Sequence, residues 1–172
     1  MKKFILTLLT VGAAALTGAR AQEINIVNTA NVFGQKPIPV SLSGFTGETA
    51  EVLKFDLTVQ GFSFVTPDAA QYLINGSDAG TVTGNVTDKF AKKVVLSRTY
   101  NGAGTRRLAH AFADDIVEAI TGKKGIGQTR IAFKVQPTGY GAGEIYVAEF
   151  DGHNAKAITT DNAIVAKPAW VP

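Results

Sequence analysis

Two histidines, His110 and His153, and the adjacent carboxylates Asp114 and Asp115 are the residues whose types could carry metal or acid–base chemistry in this chain. A metal site needs several ligands converging at short spacing, and the sequence offers no cysteine and no H-E-x-x-H pattern. His110 therefore reads as a residue on the surface of a helix and His153 as part of a turn. Neighbours on a helix point in different directions, so Asp114 and Asp115 read as a solvated face and not as a catalytic pair. The run Gly122-Lys-Lys-Gly-Ile-Gly127 lacks the order of a phosphate-binding loop, and a helix stop followed by a linker explains it. Gly139, Gly141 and Gly143 follow a strand but open another strand, so no dinucleotide site is expected. No serine lies in a G-x-S-x-G context. The expectation is a protein with no catalytic, cofactor-binding or metal-ligating residues, and so no enzyme.

The elements around these residues are more regular. Ile38, Val40 and Leu42 alternate with Pro39, Ser41 and Ser43, the period of a half-buried strand. After a Gly44 to Gly47 turn, Glu48 to Gln60 reads as a helix with Thr46 as N-cap and Gly61 as stop. Its two apolar rows, Ala50-Leu53-Leu57 and Val52-Phe55-Val59, predict cover on more than one side. Phe62 to Val65 reads as a short strand. Ala79 to Thr87 and Lys89 to Tyr100 read as two more, joined by a tight turn at Asp88. From Thr105 the spacing of Leu108, Phe112, Ile116, Ala119 and Ile120 predicts a helix lying against the sheet and ending at Gly122. Interleaved strands and helices make this an α/β (α+β) domain with a mixed sheet and two helices.

The ends of the chain differ from this middle. Lys2 and Lys3, the apolar run Phe4 to Leu16 and the Ala19-Arg20-Ala21 terminus form the three parts of a secretory signal, with cleavage expected after Ala21. Removing Lys2, Lys3 and Arg20 from 17 basic residues leaves 14, equal to the 14 acidic ones. The pI near 9.2 thus belongs to the precursor. A neutral mature chain has no electrostatic drive toward nucleic acid or anionic lipid, and no later segment suits a membrane span. At the other end, Ile131 to Val135 and Glu144 to Phe150 are β runs. They are followed by the turn Asp151-Gly-His-Asn154, a short strand at Ala157, and Pro168-Ala-Trp170. That order is the pattern of one β-propeller blade, and a single blade cannot bury both faces, so the chain reads as a truncation of a longer protein.

From Arg107 to Val135 the chain resembles the TolB family. Thr121-Gly122 at the helix end and Thr129-Arg130-Ile131-Ala132-Phe133 at the strand start match the family's helix-to-propeller junction. Tyr146-Val147-Ala148, Asp151 to Asn154 and Pro168-Ala169-Trp170 continue the likeness. The resemblance implies a signal peptide at 1–21, an arm at 22–35, a TolB-like N-terminal α/β domain at 36–124 and the first blade of an incomplete propeller at 125–172. It also implies a further strand between Ala79–Thr87 and Lys89–Tyr100, for which the joint at Asp88 leaves no room.

The implied function is that of a periplasmic adaptor of the Tol-Pal system. It would link an inner-membrane TolA-like protein to the outer-membrane lipoprotein Pal, for outer-membrane integrity and constriction at cell division. The resemblance places the TolA contact on the arm Gln22, Glu23, Ile24, Asn25, Ile26, Val27 and Asn28, while Pal requires the full propeller. Physically, an arm with Ile24, Ile26 and Val27 could add a strand to a partner's sheet edge through its backbone. The alternative is the start of a secreted propeller-containing serine peptidase, with its nucleophile further along the gene.

Overall fold

A computed structural model describes residues 36–136, 141–165 and 168–170. The signal segment 1–21, the arm 22–35 and part of the Gly139 to Gly143 loop lie outside the described residues.

The first strand is β1 (Ile38–Ser43), as its alternation predicts. Helix α1 (Gly47–Val59) follows, then a short β2 (Phe62–Phe64), β3 (Tyr72–Ser77), β4 (Val82–Asp88) and β5 (Lys93–Tyr100). These five strands form one mixed sheet in the order β2-β1-β3-β4-β5. β1 lies parallel to β2 and β3, whereas β3, β4 and β5 run antiparallel. Helix α2 (Thr105–Thr121) packs beside α1 on one face of this sheet. A linker then leads to β6 (Arg130–Val135), β7 (Glu144–Glu149) and β8 (Lys156–Ala157), a three-stranded antiparallel sheet in that order. The expected mixed sheet with two helices is present.

The core lies between the five-stranded sheet and the two helices. Phe112 and Ile116 of α2, Leu53 and Leu57 of α1, and Val40, Phe62, Ile74 and Val86 of the sheet are all fully buried there. Phe112 is the centre of an aromatic group, its ring 5.6 Å from those of both Phe45 and Tyr100. It fits because β4 passes beneath it at Gly84, where a Cβ atom would stand 2.1 Å from the Phe112 ring. Helix α2 ends as its sequence predicts, with Gly122 left-handed at φ 72° and its N–H donating to the Glu118 carbonyl.

Several local expectations need correction. Thr46 stands at the N-cap position of α1, but its side chain does not cap the helix. Its backbone N–H and hydroxyl instead point to the Asp78 carboxylate, 3.0 and 3.3 Å away. Of the second apolar row of α1 only Val52 is buried, while Phe55 and Val59 are about half exposed. The sheet and α2 cover the buried side of α1, and in the outer row Phe55 meets the Phe150 ring just after β7. Ala119 at the end of α2 is exposed, whereas Ala109, Ala113 and Val117 are buried, because α2 meets both α1 and the sheet. Strand β3 has no counterpart in the sequence reading. β4 and β5 pair directly, joined by residues 89–92 instead of one residue. Asp88 accepts hydrogen bonds there from the Phe90 and Ala91 N–H groups, and Lys92 adopts φ 53°.

Candidate functional site

Residues four apart on a helix share a face, and that spacing organises the polar interior of this protein. Arg106, His110 and Asp114 form one such row on α2. Glu48 and Asp56 lie at the same spacing on α1, with Val52 completing the row and Gln60 continuing it just past the helix end. The two rows face each other where the helices meet, and the β7–β8 turn and the linker close over them.

His110 corrects the surface reading most clearly, for it is only 3% exposed. Its Nδ1 is 2.6 Å from the Asp56 carboxylate, which is itself fully buried, and its Nε2 faces Asp151 at 3.3 Å. One turn earlier, Arg106 pairs with Glu48 at 3.2 Å, with Glu149 at 3.7 Å and, closely, with Asp151. One turn later, Asp114 accepts hydrogen bonds from the Gly127 and Gln128 N–H groups at 2.7 and 3.1 Å and from the Gln128 amide. Gln60 adds a fourth link, accepting from the Ile126 N–H. Glycine is needed where the linker crosses: a Cβ on Gly127 would stand 2.6 Å from Asp56. The Phe55 and Phe150 rings meet edge-on at 6.0 Å beside this junction.

The electrostatics follow from the crowding of carboxylates. Burial opposes a charge on His110, but the hydrogen bond to Asp56 and the attraction of Asp56 and Asp151 outweigh it, and its pKa lies above the ordinary imidazole value. Burial would raise the Asp151 carboxyl, yet the His153 N–H and Arg106 hold it below the usual carboxylate range. His110, Glu149 and Asp151 place ligand atoms within 4.8 Å of one another. The guanidinium of Arg106 lies against both carboxylates, so in this structure the three residues are part of an ion-pair network.

Asp114 and Asp115 do point in different directions, but neither is merely solvated. Asp115 leaves the helix toward β5, where Arg98 at 2.6 Å and the Tyr100 hydroxyl both reach it. The Tyr100 phenol is pushed upward, by burial first and then by that carboxylate. His153 lies on the exposed turn, its N–H donating to Asp151. The seven arm residues Gln22 to Asn28 lie outside the described residues.

No protein-family model matches the chain. The Tol-Pal system protein TolB of Geobacter metallireducens is 33% identical over 154 residues, 73% of this chain and 35% of that protein. The Tol-Pal system protein TolB of Nitrosococcus oceani is 38% identical over 102 residues, 56% of this chain and 24% of that one. The chain belongs to the TolB family. It spans about a third of the length of the curated TolB relatives it matches. The crystal structure of TolB from Acinetobacter baumannii shares its fold, with a TM-score of 0.70 at 20% identity over 80% of this chain and 42% of that one.

Proposed function

We propose that this chain is the N-terminal portion of a periplasmic, non-enzymatic adaptor of a Tol-Pal system, which engages an inner-membrane TolA-like protein through Gln22 to Asn28. The observation that carries the reading is its similarity to several proteins named as Tol-Pal system TolB. On this reading residues 1–21 are a signal cleaved after Ala21, 22–35 are the arm and 36–124 are the N-terminal α/β domain. Residues 125–172 begin a propeller, which accords with the antiparallel order of β6, β7 and β8. A Pal-like lipoprotein would dock only on the completed propeller. The ion-pair network of α1 and α2 serves here to hold the two sheets together, which is a structural task suited to an adaptor.

Deleting Gln22 to Asn28 tests the arm. Calorimetric titration with the periplasmic part of a TolA-like protein should lose all binding heat, while Tm moves by less than about 3 °C, because a short terminal segment adds little buried area. Retained binding would remove the arm from the proposal.

A further inference from the structure

We propose that His110, clasped between Asp56 of α1 and Asp151 of the β7–β8 turn, is a proton-operated latch that holds the three-stranded sheet against the two helices. The imidazole is buried and meets a carboxylate at each end, with Nδ1 at 2.6 Å from Asp56 and Nε2 at 3.3 Å from Asp151. An imidazolium keeps the Nδ1–H hydrogen bond to Asp56 and presents its charge to Asp151, which faces Nε2 at ion-pair distance, and so ties the turn to α1 through α2. A neutral ring has one N–H, so its other nitrogen turns a lone pair toward a carboxylate. Losing the proton therefore replaces an attraction by a repulsion at one end of the clasp.

Of the groups facing His110, Asp56 of α1 and Glu149 and Asp151 of β7 and its turn favour the proton, while Arg106 of α2, itself paired with Glu48, opposes it. Asp114, one turn on, is bonded to the linker. His153 lies two residues beyond Asp151 with its side chain on the exposed side. Four carboxylates, Glu48, Asp56, Glu149 and Asp151, thus meet one guanidinium and one imidazole, and a charge on His110 reduces the negative excess. The folded imidazole pKa is raised accordingly. The sign follows: the latch is fully engaged below the ordinary imidazole value of about 6.5 and releases as pH rises through the raised one. Arg106 also joins the two parts through Glu149 and Asp151 and keeps its charge across this range, so it holds the turn from one side only. The remaining contacts are neutral or lie on the linker, namely Phe55–Phe150 and the Gln60 and Asp114 bonds to residues 126–128.

The chain has no cysteine, so two introduced ones give unique spin-label sites. Glu118→Cys on α2 and Lys156→Cys on β8, both at exposed positions, report the separation of the two parts by pulsed electron resonance. In EDTA, with far-UV circular dichroism as a check on folding, the distance distribution should be narrow at pH 5.5. It should broaden toward pH 9.5 with a midpoint above about 6.5. Asp151→Asn should move that midpoint down, and His110→Gln should abolish the pH dependence. A parent distribution unchanged over this range, or a pH dependence that survives His110→Gln, overturns the latch. Should His110→Gln fail to fold, Asp151→Asn decides, since an unmoved midpoint there overturns it equally.

Discussion

Phe112 shows how one side chain dictates the sequence around it. It is fully buried, touches aromatic rings on two sides and leaves no space above Gly84. Phe112→Ala should cost about 3–5 kcal/mol in chemical denaturation, the range for emptying such a site. Gly84→Ala should cost about 1–3 kcal/mol by overpacking. If the contact is the cause, combining Gly84→Ala with Phe112→Leu should give a smaller loss than the two single changes added. Strict additivity would place the strain elsewhere. His110 illustrates the opposite situation, a residue whose type stands out in the sequence but whose buried setting does not. A lone histidine on a helix is ordinarily exposed. The signal that could have found it was the repetition of polar residues at i+4 on both helices, Glu48, Asp56 and Gln60 against Arg106, His110 and Asp114, inside segments otherwise rich in apolar residues.

At the scale of elements, the start of α1 yields a prediction about acid. Thr46 spends its hydrogen bonds on Asp78 rather than on the helix. The Thr46 backbone N–H in turn holds the Asp78 carboxyl below its usual range, with the Thr46 hydroxyl helping. A depressed carboxyl stabilises the fold above its unfolded value of about 3.9, and the contribution disappears as pH falls through the lower folded value. Asp78→Asn should therefore lower the denaturation midpoint at pH 6 but make almost no difference at pH 2. An equal effect at both would show that the carboxylate charge is not what matters.

The strands and helices with clear periodicity were legible: β1 from its alternation, α2 from Leu108, Phe112 and Ile116, and the end of α2 from Gly122. Strand β3 was not, because Asn75-Gly76 inside Tyr72–Ser77 has the composition of a turn. Only the tertiary structure supplies the reason for the glycine, since the Phe45 ring stands 2.3 Å from where a Cβ would be. The polar row of α1 was hidden similarly, as Asp56 falls between apolar positions and its partner lies 54 residues away.

For the molecule as a whole, two sheets are joined by one helix pair whose facing polar rows hold the turn after β7 and the linker before β6. Family membership and the likeness to a solved TolB account for this frame, while the role proposed for the arm rests on the family resemblance and on its sequence. Within Gln22 to Asn28, the segment with Ile24, Ile26 and Val27 would add a strand to a partner through backbone hydrogen bonds, a mode that tolerates side-chain change but not the loss of a donor. Ile26→Pro removes one backbone N–H and fixes φ while leaving the arm its length. The decisive measurement is a pull-down of the periplasmic part of a TolA-like protein by the Ile26→Pro variant beside the parent chain. Strand addition predicts that the parent retains the partner and the variant loses it at unchanged Tm; a variant that binds as well as the parent would contradict the assignment of Gln22 to Asn28 as the contact.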